Sequence, residues 1–198
     1  WGLAFAIGGG VAGGTIALVS QRYGADAFAE LGDAVRSSVL LVVVVSLPVS
    51  AVFWTSSTAL IGLLSSNADA IALGAAYLRV VGLGVPFAAL NLVGSRVLVG
   101  CDDAYTAMQA RAGGALANIA LSALFIFGLG LGVEGAAYGT VLSNVLVTAA
   151  FAGGLVRGRL PGLGEFPIAI DPFGSYLNPD MLRDLVEIGV PVGARNLV

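Results

Sequence analysis

The chain has 198 residues, 58% hydrophobic and 11% charged, with a net charge of −3 and a mean hydropathy of +0.95. Ordinary soluble domains carry about 25% charged residues, so this is the composition of a membrane protein. One cysteine and no histidine leave no disulfide framework, no thiolate metal site and no copy of the commonest general base.

A membrane span needs about 20 mostly apolar residues. The first expected span is 2–20, uncharged and glycine-rich, with Gly9/Gly13 and Gly10/Gly14 spaced as small-xxx-small pairs that let backbones approach in lipid. A polar segment, 21–36, follows. The second span is 37–54, with Pro48 as a candidate kink and Trp54 as an interfacial aromatic. Residues 55–66 have the mixed character of an amphipathic surface helix, and 67–69 resemble a helix cap. The third span, 71–99, is long enough to tilt and carries Arg79, Pro86, Asn91, Ser95 and Arg96. The fourth covers 106–127 and the fifth 135–155. Residues 157–180, with prolines at 161, 167, 172 and 179, have linker composition, and 181–198 opens a further span. Apolar runs at both ends, and no initiator Met or signal pattern, lead to the expectation of a piece of a longer protein.

All nine basic residues are arginine. Alternating the connections puts Arg22, Arg36, Arg111, Arg157, Arg159 and Arg183 on one side, with Arg96 near it, and Arg79 on the other. The arginine-rich side is expected to be cytoplasmic. Arg79 and Arg96 are read as snorkelling to the interfaces. The low isoelectric point, near 4.7, and the acidic connections are compatible with a halophilic source.

Polar residues inside spans are the candidate functional residues. Asn118 and Ser122 are one helical turn apart, as are Thr140 and Asn144. Asn91 and Ser95 lie 14 and 18 positions after Tyr77, within about 40° of one stripe at about 100° per residue. Two readings are open. The stripes can be interhelical hydrogen bonding, at roughly 0.6 kcal/mol per contact. They can also line a polar cavity whose oxygens coordinate a small hard cation or hold a substrate. Elsewhere the signals are structural. Asp102 and Asp103 read as a helix cap in a turn, Glu134 as part of a cap or external turn, and Cys101 as incidental. The glycine-rich first span lacks the strand a phosphate-binding loop needs. No basic patch points to nucleic acid. No nucleophile–base pair or metal cluster supports an enzyme, so catalytic and cofactor-binding residues are not expected.

Four segments together carry a family resemblance. Residues 18–25 (LVSQRYGA) resemble the segment closing the second helix of MATE (multidrug and toxic compound extrusion) transporters. Ala76-Tyr77-Leu78-Arg79 with Gly84-Val85-Pro86-Phe87 resembles their fourth helix. Gly132-Val133-Glu134-Gly135-Ala136-Ala137 with Gly139-Thr140 resembles the start of their sixth, and residues 181–191 the start of their seventh. The resemblance implies an all-α polytopic membrane protein: helices two to six of one six-helix lobe of a twelve-helix, two-lobe transporter, plus the start of helix seven. Residues 1–156 would be the partial N-terminal lobe, 157–180 a cytoplasmic inter-lobe loop and 181–198 the start of the second lobe. It further implies a multi-pass protein of the cell membrane, of archaeal kind in its site. Such proteins export organic, often cationic, compounds in exchange for Na⁺ or H⁺ by alternating access.

In similar archaeal members a helix-one Asp, a helix-five Asn and Asp, and a helix-six Thr form a cation site. Carried over, the Asn falls on Asn118, the Thr on Thr140 and a helix-four cavity Tyr on Tyr77. Ser122 stands where the second Asp is expected, and can neither titrate nor neutralise charge. The resemblance thus implies a candidate Na⁺ or H⁺ coupling site at Asn118, Ser122 and Thr140 and places Tyr77 in a substrate cavity, to which the polar stripes add Asn91, Ser95 and Asn144. The implied partners are small organic substrates, the bilayer, helix one and the second lobe. The alternative is a lipid or lipid-linked oligosaccharide flippase of the same superfamily. That reading expects several cavity-facing basic residues, and only Arg79 and Arg96 present themselves.

Overall fold

A computed structural model describes the backbone of residues 2–195 and the side chains of 9–192. The outermost residues of the first and last expected spans lie outside that range. In chain order come α1 (Gly2–Gly24), α2 (Phe28–Thr55), α3 (Ser57–Gly62), α4 (Ala68–Leu83), α5 (Val85–Gly100) and α6 (Ala104–Ala123). The last of these runs on into a π-helical turn (Leu124–Gly128). Then follow α7 (Gly132–Arg157), a hairpin of β1 (Arg159–Leu160) and β2 (Gly164–Glu165), and α8 (Pro179–Arg195). Among the described residues, α2, α6 with its π-helical turn, and α7 are each long and apolar enough to cross a membrane. Together α4 and α5 make a fourth candidate, bent by 48°.

That bend corrects the reading of 71–99 as one continuous span. Gly84 closes α4 and opens α5, and Pro86 sits in the first turn of α5. There the missing proline N–H costs no hydrogen bond, whereas within one continuous helix it would. The polar segment 21–36 is also mostly helix. The chain turns at Asp26, in left-handed backbone (φ 53°), and α2 starts at Phe28. Leu31, Ala34, Val35 and Ser38 are buried at helical spacing while Glu30 faces out. Within 55–66 Thr55 ends α2, the only further helix is the six residues of α3, and Leu63 and Leu64 beyond it are exposed. Asn67 caps α4, its Oδ1 accepting from Ala70 N at 2.9 Å, and Asp103 caps α6, accepting from Thr106 N at 3.0 Å.

Several hydroxyls inside the bundle find acceptors close by, as an apolar surround favours, whereas the buried Ser57 Oγ has no partner among the described residues. Thr15 Oγ1 donates to Val11 O at 2.7 Å and Ser38 Oγ to Ala34 O at 2.8 Å. Ser50 Oγ instead crosses from α2 to α4, donating to Gly82 O at 2.7 Å.

Two antiparallel helix pairs approach to backbone distance. On α1 against α8, a Cβ at Gly14 would lie 2.7 Å from Leu185 O, and one at Gly189 2.6 Å from Gly10 O. The glycine pairs of the first span therefore serve packing against α8. Arg22 reinforces that contact, with Nη2 3.8 Å from Asp184 and Nε 3.8 Å from Glu30. On α6 against α7, a Cβ at Gly139 would lie 2.7 Å from Ser122 N and 2.8 Å from Ser122 Cα, and one at Gly114 would run into Val147.

The proline-bearing connection is a folded strap. Gly158, in left-handed backbone (φ 69°), stops α7. Phe166, Ile168 and Ile170 alternate into the core beside Phe151 and Leu155. Phe166 N donates to Gly158 O at 2.8 Å and Ile170 N to Leu155 O at 2.7 Å. Arg36 of α2 clasps the far end. Its Nη1 donates to Asp171 O at 2.8 Å and its Nε to Ser175 O at 3.2 Å, while Asp33 pairs with the same guanidinium.

Two outcomes follow from these contacts. Arg36→Ala is expected to raise hydrogen exchange of the amides in 166–176 about tenfold, the loss of one or two charge-assisted bonds; unchanged exchange means that the buried apolar residues hold the strap alone. Gly139→Ala is expected to destabilise the bundle by about 1–3 kcal/mol, the usual cost of overpacking, seen as a lower thermal midpoint in detergent. Gly113→Ala, where a Cβ meets nothing within 4 Å, should leave the midpoint in place. Ser122→Gly should not rescue Gly139→Ala, because the clash is with backbone.

Candidate functional site

The α6–α7 contact brings Asn118 onto Thr140. Thr140 Oγ1 donates to Ala136 O at 2.9 Å and Ser143 Oγ donates to Thr140 O at 2.9 Å. Both hydroxyl protons are thereby committed to α7 carbonyls, so only a donor or a cation can approach these oxygens. The amide of Asn118 meets that condition. Its Nδ2 donates to Thr140 Oγ1 at 3.1 Å and to Ser143 Oγ at 3.2 Å, and its Oδ1 is left without a donor among the described residues.

A second polar cluster joins α5 to α7. Asn91 Nδ2 donates to Asn144 Oδ1 at 3.0 Å and to Asn144 O at 3.2 Å. Thr148 Oγ1 lies 2.8 Å from Asn91 Oδ1 and within reach of Phe87 O and Asn144 O. The Asn144 Nδ2 group has no acceptor among the described residues. Both clusters border one cavity of about 550 Å³, walled by Asn91, Arg111, Asn118, Thr140, Ser143, Asn144 and apolar residues of α5, α6 and α7.

Three of the expected site residues sit elsewhere. Ser122 packs against the Gly139 backbone in the helix contact and does not line the cavity. Ser95, 3% exposed, borders a neighbouring cavity of about 470 Å³ with Arg96, Met108 and Arg111. Tyr77 packs on the Val80, Val81 and Ala137 cluster. The break at Gly84 separates Tyr77 from the Asn91–Ser95 stripe it was expected to share. Conversely, Ser143, Thr148 and Arg111 belong to the sites and were not singled out from sequence. Thr148 lies one turn beyond Asn144 and simply extends the stripe. Arg111 was counted with the connections, but it lies in α6, about 10 Å along the axis from Ala104 at 1.5 Å per residue.

No carboxylate borders either cavity, and among the described residues no three His, Cys, Asp or Glu side chains gather into a metal-binding group. The walls therefore offer amide and hydroxyl oxygens, one free amide N–H₂ and guanidinium. They can hydrogen-bond a ligand or complete the coordination of a hard cation whose charge is met elsewhere.

Cys101, in the turn between α5 and α6, is buried beside the core. Burial, with the Asp103 charge adding to it, pushes its thiol pKa up to about 12. Since the thiolate is the reactive form, maleimide labelling of the folded protein at neutral pH should run roughly a hundredfold or more slower than after unfolding. Equal rates in the two states would place the thiol at the surface.

The MatE family profile matches residues 1–124. Among solved structures, an inward-facing multidrug resistance MATE family transporter of the MOP superfamily is 27% identical, with a TM-score of 0.86 over 99% of this chain and 43% of its own. The outward-facing form of such a transporter gives 27% and 0.85, over 99% of this chain and 42% of its own. A MOP superfamily transporter from Pyrococcus furiosus, described as having a binding pocket of reversed polarity that suggests a different function, gives 27% and 0.84, over 99% and 42%. No curated protein sequence matches. The chain spans about 43% of the length of the structures it resembles, which is the extent of a single lobe. The chain belongs to the MATE family of multidrug transporters.

Proposed function

We propose that the chain is a partial N-terminal lobe, with the start of the second lobe, of a secondary active exporter in the cell membrane. It would expel organic compounds in exchange for Na⁺ or H⁺ by alternating access. The observation that carries this reading is the Asn118–Thr140–Ser143 cluster on the wall of a cavity, with the Asn118 carbonyl left free to accept. A cation, or a protonated carboxyl from a neighbouring helix, has there an oxygen to bind. Asn118, Thr140 and Ser143 act as neutral partners in this scheme, and the titrating or charge-balancing carboxylate comes from outside the described residues. Ser122 supports the site only through helix packing. Similarity to inward-facing and outward-facing structures at nearly the same TM-score supports a lobe that moves as a rigid body between the two states.

A lipid or lipid-linked oligosaccharide flippase is the second reading. The Arg111 guanidinium on the cavity wall is what favours it, since a lipid phosphate needs such a partner. The two readings separate in proteoliposomes: the exporter accumulates a fluorescent organic cation under an imposed Na⁺ or H⁺ gradient, whereas the flippase moves labelled lipid between leaflets without one.

In the first assay Asn118→Ala is expected to lower gradient-driven transport about tenfold or more, in line with removal of a buried hydrogen-bonding group. Wild-type coupling in that variant removes Asn118 from the mechanism.

A further inference from the structure

The cavity walled by Asn118 and the one walled by Ser95 share a residue, Arg111, and the second adds Arg96. Among the described residues neither arginine forms a salt bridge, as is true also of Arg79, Arg157 and Arg159, whereas Arg22, Arg36 and Arg183 do; of those five, Arg96 and Arg111 border one groove. Neither side chain makes a hydrogen bond there either, and no Asp or Glu borders the groove between them. Two guanidinium groups thus flank one groove of about 470 Å³ without an anion.

Their depth is set by the helices. Arg96 lies about 6 Å along the axis before the end of α5 at Gly100, and Arg111 about 10 Å after the start of α6. The turn of residues 101–103 joins those two ends, so both arginines sit toward the same face of the bundle. With its π-helical turn α6 has 25 residues, more than the roughly 20 a span needs. Both arginines lie toward the end of the helices that the turn joins, where long basic side chains reach up to the headgroup layer. A cation at that level is costly without a counter-ion, and a guanidinium fork matches phosphate oxygens in a bidentate way. Val99, Ala107, Met108 and Ala112 supply apolar walls beside the pair, suited to the start of an acyl chain.

We propose that Arg96 and Arg111 form a phosphate-binding site in the groove between α5 and α6, and that its occupant is the headgroup of an anionic phospholipid. On the exporter reading the site depends neither on the coupling ion nor on the exported compound, and binding reports on it without any transport.

The test is native mass spectrometry of the detergent-purified protein titrated with phosphatidylglycerol, phosphatidylcholine or sn-glycerol 3-phosphate. The expected result is a preference for phosphatidylglycerol over phosphatidylcholine that Arg96→Gln and Arg111→Gln each weaken about five- to tenfold, the scale of one charge-assisted contact. The double variant should abolish it. Arg79→Gln, which removes an arginine of α4 that is exposed like Arg111 but borders neither cavity, should leave it intact. Arg96→Lys and Arg111→Lys keep the charge and lose the fork. They should bind at an intermediate level, and they preserve the readout if a glutamine variant does not fold. Arginine-dependent binding of sn-glycerol 3-phosphate with no lipid preference keeps the phosphate site and makes its source a soluble anion. A phosphatidylglycerol preference that survives the double variant, or wild-type protein that prefers neither ligand, overturns the proposal.

Discussion

The antiparallel contact of α6 with α7 is the constraint on which the polar interior depends. In lipid, two helices gain nothing from burying apolar side chains against each other rather than against acyl chains. They associate where backbones come close enough for dispersion and hydrogen bonding to accumulate. Gly139 lets the Ser122 backbone in, and Gly114 lets Val147 in. The helix separation set by those two contacts is the one at which a side chain as short as asparagine reaches across. Asn118 then meets two hydroxyl oxygens at 3.1 and 3.2 Å. A wider pair would leave the same groups to find other partners or none.

The hydroxyls impose the polarity of the wall. Thr140 and Ser143 return their protons to carbonyls of α7, a common use of hydroxyls in membrane helices. They therefore face α6 as acceptors, and the Asn118 amide has one acceptable orientation, N–H₂ toward α7 and carbonyl away. The same logic runs at Asn91, where Thr148 donates to Oδ1 and leaves Nδ2 for Asn144. The wall gains its free acceptor and free donor from hydrogen bonds within α7 and between it and its neighbours, all made by uncharged groups.

Much of this was legible in the sequence. Hydropathy located the apolar segments, and one-turn spacing picked out Asn118, Thr140 and Asn144, because a helix places such residues on one face whatever surrounds it. What escaped depends on events between elements. Asn91, Ser95 and Tyr77 fall on one stripe only if 71–99 is a single helix. The Gly84–Pro86 break is a local event that turns one part away, and its 48° follows from packing. Ser122 shares a face with Asn118, yet the glycine opposite it decides that it is spent in contact rather than in the cavity. The strap carried a period-two signal in Phe166, Ile168 and Ile170 that its prolines outweighed. Arg36 reaches it across more than a hundred residues of sequence, a distance over which no local pattern speaks.

Hydrogen bonding between helices and the lining of a cavity presented themselves as alternatives when the stripes were read from sequence. The geometry removes the opposition. A carboxamide is a donor and an acceptor set about 120° apart on one rigid plane, so a single asparagine can bond a neighbouring helix with one half and face a cavity with the other. Asn118 does so through its N–H₂, and Asn144 through its carbonyl. A hydroxyl whose proton has gone to its own helix has no such second face to spare, and a carboxylate in the same place has only acceptors. Against Thr140 and Ser143 a carboxylate oxygen would meet two oxygens as acceptor on acceptor, unless it carried a proton or a cation stood between them. Neutral amides at these positions hold the helices together in every protonation state of the surroundings. On the proposed function, such a wall keeps its shape while the charge that varies is supplied by another helix.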